Sequence, residues 1–231
     1  MRAAPERLAG VWVVVAAYNE AGVIADVVRP LVGAGYAVVV VDDGSADDTA
    51  AIARAAGAAT LRHAINRGQG AALQSGLRYA LDRGARILIT FDADGQHAVD
   101  DLPRLLQPIL AGEADVVLGS RFLEHTAAVP PLRRLLLRAA VVFTGVASGV
   151  RLTDAHNGMR ALTRGAAEQL DLRLDRMAHA SEIIDQIARA RLRVVEVPVA
   201  VRYTPYSLGK GQRAGNAVRI AWEYLFSKMN S

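Results

Sequence analysis

Two aspartates one residue apart, Asp92 and Asp94, end the apolar run of the segment LITFDADGQH. Hard divalent cations prefer oxygen ligands, and Mg²⁺ often takes only one or two carboxylates when a substrate supplies phosphate oxygens. Gln96, two residues further on, could add an amide oxygen. The spacing therefore indicates a divalent-metal site that binds a diphosphate. The structural alternative is an Asx turn with two solvated carboxylates.

A second acidic cluster, Asp42-Asp43-Gly44-Ser45, follows an earlier apolar run. An acidic residue at such a position can accept hydrogen bonds from a ribose hydroxyl or a base N–H. Asp43 and Ser45 could instead cap the following helix. The next polar segment, Asn66–Gly70, leads into a predicted helix, where glycines allow close backbone approach and the helix N-terminus favours an anion.

The elements that must position these residues are short Val- and Ile-rich runs that alternate with Ala-rich segments. The runs lack polar alternation, which indicates strands buried on both faces of a parallel sheet. The order strand, helix, strand predicts a right-handed doubly wound α/β fold. The predicted strands are Val11–Ala16, Ala37–Val41, Ala59–Arg62, Ile87–Phe91 and Asp115–Leu118, and the predicted helices are Ala21–Gly33, Ala46–Ala56, Gln69–Arg83 and Val99–Ala111.

Polar clusters follow all five predicted strands, as AYNE, DDGS, HAINRGQG, DADGQH and GSR. Ligands of open α/β sheets bind beyond the carboxyl ends of the strands. A single cluster would be an ordinary turn, whereas five at one edge indicate a site.

The second half of the chain is less regular, and we treat residues 1–231 as one domain. Thr153–Arg164 reads as a loop that enters a helix. Ser181–Arg193 is predicted as an amphipathic helix with Ser181 as its N-cap. The strand Val194–Tyr203 follows, and its Pro198 suggests an edge or a bulge. The last segment, Ala214–Met229, is predicted to be an amphipathic helix.

Composition limits the possible functions of the chain. The absence of cysteine excludes disulfides, thiolate metal sites and a cysteine nucleophile. The net charge of +4 suits anionic ligands or an acidic membrane surface but is too small to indicate nucleic acid. No apolar stretch reaches the roughly 20 residues of a membrane-spanning helix. Ala139–Val150 comes nearest and could be a core helix or a helix at a membrane interface.

The ordered motifs AYNE, DDGS, N-x-G-x-G, DADGQH and GSR resemble those of the family 2 glycosyltransferases, in particular the polyprenyl-phosphate (dolichol-phosphate mannose synthase-like) branch. The resemblance covers Val11 to Tyr203. It implies the glycosyltransferase A fold, with a nucleotide-sugar-binding half at about 1–120 and an acceptor-binding half at about 121–231. It also implies that Asp92, Asp94 and Gln96 bind Mg²⁺ or Mn²⁺ against the diphosphate of a nucleotide sugar.

The same resemblance assigns further roles, residue by residue. The nucleotide sugar is expected to contact Ala17, Tyr18, Glu20, Asp42, Asn66, Gly70, Asp92, Ala93 and Asp94. Asp154 is the candidate carboxylate near the reacting carbon, and Arg121 is the second catalytic candidate and is expected to face a phosphate. The acceptor phosphate is expected to meet Arg121, Arg133, Arg134, Arg202 and Lys210. Met159 and Ala98 depart from the family pattern, which usually has Phe and Pro there.

The implied activity is inverting, metal-dependent transfer of a sugar from a UDP- or GDP-sugar to a polyprenyl phosphate. A glycosyltransferase that acts on a glycan or small-molecule hydroxyl is one alternative. A non-catalytic protein that binds nucleotide sugars is another. A nicotinamide dehydrogenase fits poorly, because no glycine fingerprint follows the first strand. We expect a cytoplasmic protein that could associate with the cytoplasmic face of a membrane.

Overall fold

The computed structural model describes residues 8–123, 152–154, 157–172 and 178–202. Within them, the strands are β1 (Val11–Ala17), β2 (Ala37–Asp42), β3 (Ala59–Arg62), β4 (Ile87–Asp92), β5 (Val116–Ser120), β6 (Arg160–Thr163) and β7 (Val194–Pro198). The helices are α1 (Ile24–Gly33), α2 (Thr49–Ala55), α3 (Gln69–Asp82), α4 (Leu102–Leu110), α5 (Arg164–Glu168) and α6 (Ala178–Arg189), and a 3₁₀ turn covers Val99–Asp101.

These strands form one sheet in the order β3-β2-β1-β4-β6-β5-β7. The pairs β1–β2, β1–β4, β2–β3 and β5–β7 are parallel, whereas β6 runs antiparallel to both β4 and β5. The carboxyl ends of six strands therefore meet at one edge of the sheet. That edge is where the sequence concentrates its polar clusters, so the predicted mainly parallel α/β fold is confirmed.

Both faces of the sheet are covered, as the unbroken apolar strands predict. On one face Val13 and Val15 belong to a core layer shared with α1 and α4. On the other face Val14 belongs to a layer shared with α3, α5 and α6. Each fully buried aliphatic side chain of this kind stabilises the fold by about 1.5–3 kcal/mol. The two layers hold the strand ends in fixed positions.

Helix α3 packs unusually close to the sheet at Gly76. A Cβ at this position would collide with Val14 Cγ1 and lie 3.2 Å from Val41 Cγ2. Glycine therefore lets the backbone of α3 approach β1 and β2.

In the second half of the chain, two predicted elements differ from the structure in type or in bounds. Arg160–Thr163 is the strand β6, not the approach to a helix, and it lies inside the sheet between β4 and β5. Pairing with both neighbours overrides the weak local signal of these four residues. Ser181 does not cap its helix either, because α6 begins three residues earlier, at Ala178.

The last predicted strand is confirmed in part. β7 ends at Pro198 and pairs only with β5, so it is an edge strand among the described residues. Beyond it, Val201 forms an isolated antiparallel bridge with His97. The described residues contain no helix long and apolar enough to cross a membrane. The segment Ala139–Val150 and the predicted C-terminal helix Ala214–Met229 lie outside the described residues.

Candidate active site

The segment after β1 and the segment after β2 are joined by hydrogen bonds. The Asn19 backbone N–H donates to Ser45 Oγ at 2.8 Å, and Asn19 Oδ1 accepts from Ala46 N–H at 2.8 Å. Glu20 N–H donates to Thr49 Oγ1 at 2.8 Å. The two predicted nucleoside-contacting segments therefore form one surface at the polar edge.

Two residues with predicted nucleoside contacts differ sharply in exposure. Tyr18 is 47% exposed at the end of β1, where its ring is available to a base. Ala17 is buried, and its carbonyl accepts a hydrogen bond from Asp43 N–H at 2.8 Å. Ala17 therefore supports the surface through its backbone.

Asp42 is fully buried at the end of β2. Its Oδ1 accepts a hydrogen bond from Ser45 N–H at 3.0 Å. Its Oδ2 lies 3.2 Å from Arg62 Nε, an ion-pair distance without hydrogen-bond geometry. Asp42 thus stabilises the turn from Asp42 to Ser45. Its contact with a nucleoside remains a prediction.

Asp43 organises the next loop and does not cap a helix. Its carboxylate accepts hydrogen bonds from Arg67 N–H at 2.9 Å and from Gly68 N–H at 2.7 Å. His63 Nδ1 lies 2.7 Å from the same carboxylate. Helix α2 begins at Thr49 without a side-chain cap bond, so the capping interpretation of Asp43 and Ser45 is wrong.

Gly44 explains why this cluster contains a glycine. Its φ is +73°, and a Cβ there would lie 2.6 Å from the carbonyl carbon of Ile65. The loop that carries Asn66 passes directly over it. Asn66 itself is exposed, and Gly70 is buried in the first turn of α3. Both lie at the polar edge, and their contact with a donor remains a prediction.

Asp92, at the end of β4, is surrounded by donors from other elements. Its Oδ2 lies 3.0 Å from His97 Nε2, and its Oδ1 accepts from Gln69 Nε2 at 3.3 Å. The backbone of Gly158 presses against this carboxylate, because a Cβ there would collide with both of its oxygens. The side chain is still 29% exposed, so it can contact a ligand.

The pKa of Asp92 reflects these neighbours. Burial by itself would raise the pKa of this carboxyl, but the hydrogen bond and charge of His97, with the charges of Arg160 and His179, outweigh it. The pKa of Asp92 therefore lies below its usual value. The environment holds this carboxyl in its ionised form, which is the form that binds cations.

The pKa of Asp94 is shifted in the opposite direction, above its usual value. Burial and the negative charge of Asp92 raise the pKa of Asp94, and Glu20 adds to the repulsion. Gln96 makes the main hydrogen bonds, from its backbone N–H to Oδ1 at 3.0 Å and from Nε2 to Oδ2 at 2.8 Å. Ala93, between the two aspartates, is buried.

This donor set fits a divalent cation completed by a substrate. A cation at Asp94 would relieve the repulsion from Asp92 and Glu20. The described residues contain no group of three or more His, Cys, Asp or Glu side chains arranged to hold a metal. Mg²⁺ and similar ions in phosphate-binding sites typically use one or two carboxylates and take the remaining oxygens from the substrate and water.

Asp154 and Arg121 form a buried pair beyond β5. Asp154 Oδ2 accepts from Arg121 Nε at 2.6 Å and from Arg121 N–H at 3.2 Å. Arg121 is 9% exposed and Asp154 2%. The two residues predicted for the reaction centre are therefore in direct contact, and the charge of Arg121 is already engaged by a carboxylate.

Arg202 lies beside the segment that carries Asp94 and Gln96, because its backbone N–H donates to the carbonyl of Gln96 at 2.8 Å. The other predicted phosphate ligands, Arg133, Arg134 and Lys210, lie outside the described residues. Arg202 is therefore the member of this set that the structure places at the polar edge, together with Arg121.

Two further residues of the site, Arg160 and Asn157, had no role assigned from the sequence, although Arg160 belongs to the segment Gly158-Met159-Arg160 that resembles the family motif. Arg160, the first residue of β6, is 2% exposed, and its Nε and Nη1 have no hydrogen-bond partner among the described residues. Asn157 Nδ2 is also buried and has no hydrogen-bond partner among the described residues. Burial lowers the pKa of Arg160, while the charges of Asp92 and Asp154 raise it. A signal existed, because an arginine directly before the apolar run ALT is unusual for a buried strand.

The chain is similar in sequence to known glycosyltransferases. The profile of Glycosyl transferase family 2 matches residues 12–170. A UDP-N-acetylglucosamine–dolichyl-phosphate N-acetylglucosaminyltransferase of Methanococcus voltae is 31% identical in an alignment that covers 95% of this chain and 96% of the relative. A polyprenol monophosphomannose synthase of Mycolicibacterium smegmatis is 36% identical in an alignment that covers 80% of this chain and 72% of the relative.

Solved structures confirm the fold. Glucosyl-3-phosphoglycerate synthase from Mycobacterium tuberculosis, in complex with Mn²⁺ and UDP-glucose, aligns with a TM-score of 0.66 and 26% identity over 96% of this chain and 81% of that one. The resemblance read from the motifs is therefore confirmed. The chain belongs to glycosyl transferase family 2 as a glycosyltransferase with the glycosyltransferase A fold, and the two curated relatives named above place it in the polyprenyl-phosphate branch.

Proposed function

We propose that this protein transfers a sugar from a nucleoside diphosphate donor to a polyprenyl phosphate, with inversion at the anomeric carbon and with a divalent metal as cofactor. The observation that carries the proposal is the position of Asp92 and Asp94. Asp92 ends the strand β4 and Asp94 lies in the turn that follows it, at the edge where the loops after β1 and β2 also meet. The names of the curated relatives support the acceptor class.

On the donor side, Tyr18 and the joined segments after β1 and β2 offer a surface for a nucleoside. Asp92, Asp94 and Gln96 are the proposed ligands of Mg²⁺ or Mn²⁺. A metal bound there would stabilise the negative charge that grows on the diphosphate as the sugar bond breaks. His97 and Gln69 hold the Asp92 carboxylate in one orientation for this purpose.

On the acceptor side, the names of the curated relatives favour a lipid phosphate, and the contacts of Asp154 are compatible with it. One oxygen of Asp154 already accepts two N–H groups of Arg121. That oxygen is not available to remove a proton from a sugar hydroxyl, which would need a general base. A lipid phosphate is already ionised and needs only positioning and charge neutralisation. We assign this task to Arg202, with Arg133, Arg134 and Lys210 as further proposed partners.

A small hydroxyl acceptor is the second candidate. The solved relatives include glucosyl-3-phosphoglycerate synthase in complex with phosphoglyceric acid, at 25% identity and a TM-score of 0.66. This structure favours an acceptor that is water-soluble and phosphorylated. In that case the second oxygen of Asp154 would have to accept the proton.

An acceptor assay separates the two candidates. The full-length protein is incubated with UDP-N-acetylglucosamine, UDP-glucose or GDP-mannose, together with a short polyprenyl phosphate or 3-phosphoglycerate. Reactions contain Mn²⁺, Mg²⁺ or EDTA, and products are identified by mass spectrometry and their anomeric configuration by NMR. We expect an inverted glycosyl polyprenyl phosphate that EDTA abolishes. Transfer to 3-phosphoglycerate alone, or retention of configuration, would overturn the proposal.

A lipid-borne acceptor also implies where the protein works. We propose that it is cytoplasmic and associates peripherally with the cytoplasmic face of a membrane, where a nucleotide sugar and a lipid phosphate are both accessible. Sedimentation with vesicles that contain polyprenyl phosphate, compared with vesicles that lack it, measures this association.

A further inference from the structure

Glu196 of the edge strand β7 contacts the segment that carries Asp154. Its Oε1 accepts hydrogen bonds from Thr153 N–H at 3.0 Å, from Thr153 Oγ1 at 2.9 Å and from Asp154 N–H at 3.0 Å. Its Oε2 accepts from Thr153 N–H at 2.8 Å. One carboxylate therefore holds two consecutive backbone N–H groups and one hydroxyl.

The direction of these hydrogen bonds is fixed by chemistry. A carboxylate only accepts, so the Thr153 hydroxyl must donate to Glu196. Ser120 Oγ lies 2.6 Å from Thr153 Oγ1, so the Ser120 hydroxyl must donate to Thr153. Ser120 Oγ in turn accepts from Phe122 N–H at 3.2 Å. An unbranched chain of donors thus runs from the end of β5 to Glu196, and such chains strengthen cooperatively.

The backbone of Glu196 is itself well fixed. β7 lies in parallel register with β5, with Glu196 opposite Leu118. Just beyond Glu196, the Pro198 carbonyl accepts from Arg104 Nη1 at 3.1 Å, and Ala200 N–H donates to Asp101 Oδ2 at 2.9 Å. A carboxylate on a strand held in this way is a rigid support for a neighbouring loop.

We propose that Glu196 is a positioning residue that fixes Asp154, and through it Arg121, for the transfer reaction. Its carboxylate holds the Asp154 backbone from one side, while Arg121 holds the Asp154 side chain from the other. The expected effect on catalysis rests on the proposed function. The claim that Glu196 fixes the conformation of residues 152–154 does not depend on it.

The first test is Glu196→Gln, which keeps the shape but turns one acceptor oxygen into an NH₂ donor facing donor groups. Misplacing a catalytic group by about 1 Å can cost roughly 100-fold in rate. We therefore expect kcat to fall about 10- to 100-fold, while the Kd of the nucleotide sugar with Mn²⁺ changes less than about twofold. Glu113→Gln is the matched control, because Glu113 is exposed in the turn after α4. An unchanged kcat in Glu196→Gln would overturn the proposal.

A double-mutant cycle separates positioning from general damage. If Glu196 acts through Asp154, adding Glu196→Gln to Asp154→Asn should lower kcat by less than about twofold further, because residues that act as a unit are non-additive. A full additional 10- to 100-fold loss in the double variant would show that Glu196 acts independently of Asp154 and would overturn the proposal.

Amide hydrogen exchange tests the same claim without any turnover. In the wild type we expect Thr153 and Asp154 amides to exchange at least about tenfold more slowly than in Glu196→Gln, with unchanged exchange in β1 and β4. Equal exchange rates in the two proteins would overturn the proposal even if kcat changed. If the wild type transfers no sugar to any acceptor, the proposed function fails, and the exchange result alone decides the role of Glu196.

Discussion

Asp92 and Asp94 look equivalent in the sequence but occupy different electrostatic environments. Asp92 is held by His97 and Gln69, and the pKa of its carboxyl is lowered. The pKa of Asp94 is raised, by burial and by the charge of Asp92. We infer that Asp92 is a fixed carboxylate, whereas Asp94 gains most from a bound cation.

Gly158→Ala tests the fixed position of Asp92. The added methyl group would collide with the Asp92 carboxylate, which is the end of a side chain and can rotate away. The rotation would break its hydrogen bonds with His97 and Gln69. We expect a stability loss of about 1–3 kcal/mol, because two hydrogen bonds to a charged carboxylate are lost. Donor affinity in the presence of Mn²⁺ should fall at least about tenfold, as measured by calorimetry.

Gly165→Ala is the matched control, since a Cβ at Gly165 in α5 meets nothing within 4 Å. It should leave donor affinity unchanged and stabilise the protein slightly, if at all. Equal donor affinity in Gly158→Ala and the wild type would show that the orientation of Asp92 does not matter for the donor.

The site residues that could be predicted are those whose evidence is local in the chain. Asp92, Asp94 and Gln96 form one motif at a strand end, and the ordered motifs indicated the family. The roles of Arg160 and Glu196 could not be assigned in this way. Their roles depend on which strands lie side by side in the sheet. The sequence by itself does not show which strands pair.

At the scale of elements, the parallel strands were predictable and the antiparallel one was not. β1, β2, β4 and β5 are apolar runs buried on both faces, so composition alone indicates them, whereas β3 is a half-buried edge strand. β6 has only four residues, and it follows a turn with Asn157 and Gly158. Its pairing with β4 and β5 is what makes it a strand, and that pairing brings Arg160 between Thr90 and Leu118.

Gly76→Ala tests how closely α3 must pack on the sheet. The new methyl group would collide with Val14, a β-branched side chain with little freedom to rotate inside the core. Overpacking of this kind costs about 1–3 kcal/mol. For a protein of this size each kcal/mol lowers Tm by roughly 2–4 °C. Thermal unfolding followed by circular dichroism measures the shift.

Gly33→Ala provides the comparison, because Gly33 ends α1 and a Cβ there meets nothing within 4 Å. It should stabilise the protein by about 0.5–1 kcal/mol through the lower entropy of its unfolded chain. A Tm for Gly76→Ala as high as that of Gly33→Ala would mean that α3 can move outward freely.

At the scale of the whole molecule, the first and second halves of the chain share one sheet. β6 and β7 come from the second half, yet they pair with β4 and β5 of the first. Asp154 and Glu196 are thereby carried to the edge that the first half supplies with Asp92 and Asp94. The division at about residue 120 into donor and acceptor halves remains a prediction.

The central claim is that Asp94, with Asp92, binds a cation that holds the diphosphate of the donor. The most direct test is calorimetry of UDP binding with Mn²⁺ and with EDTA. The matched control is Asp82→Asn, because Asp82 is exposed at the far end of α3. The wild type and Asp82→Asn should bind UDP at least about tenfold more tightly with Mn²⁺, and Asp94→Asn should lose this gain while keeping its Tm. A gain from Mn²⁺ that persists in Asp94→Asn would contradict the account.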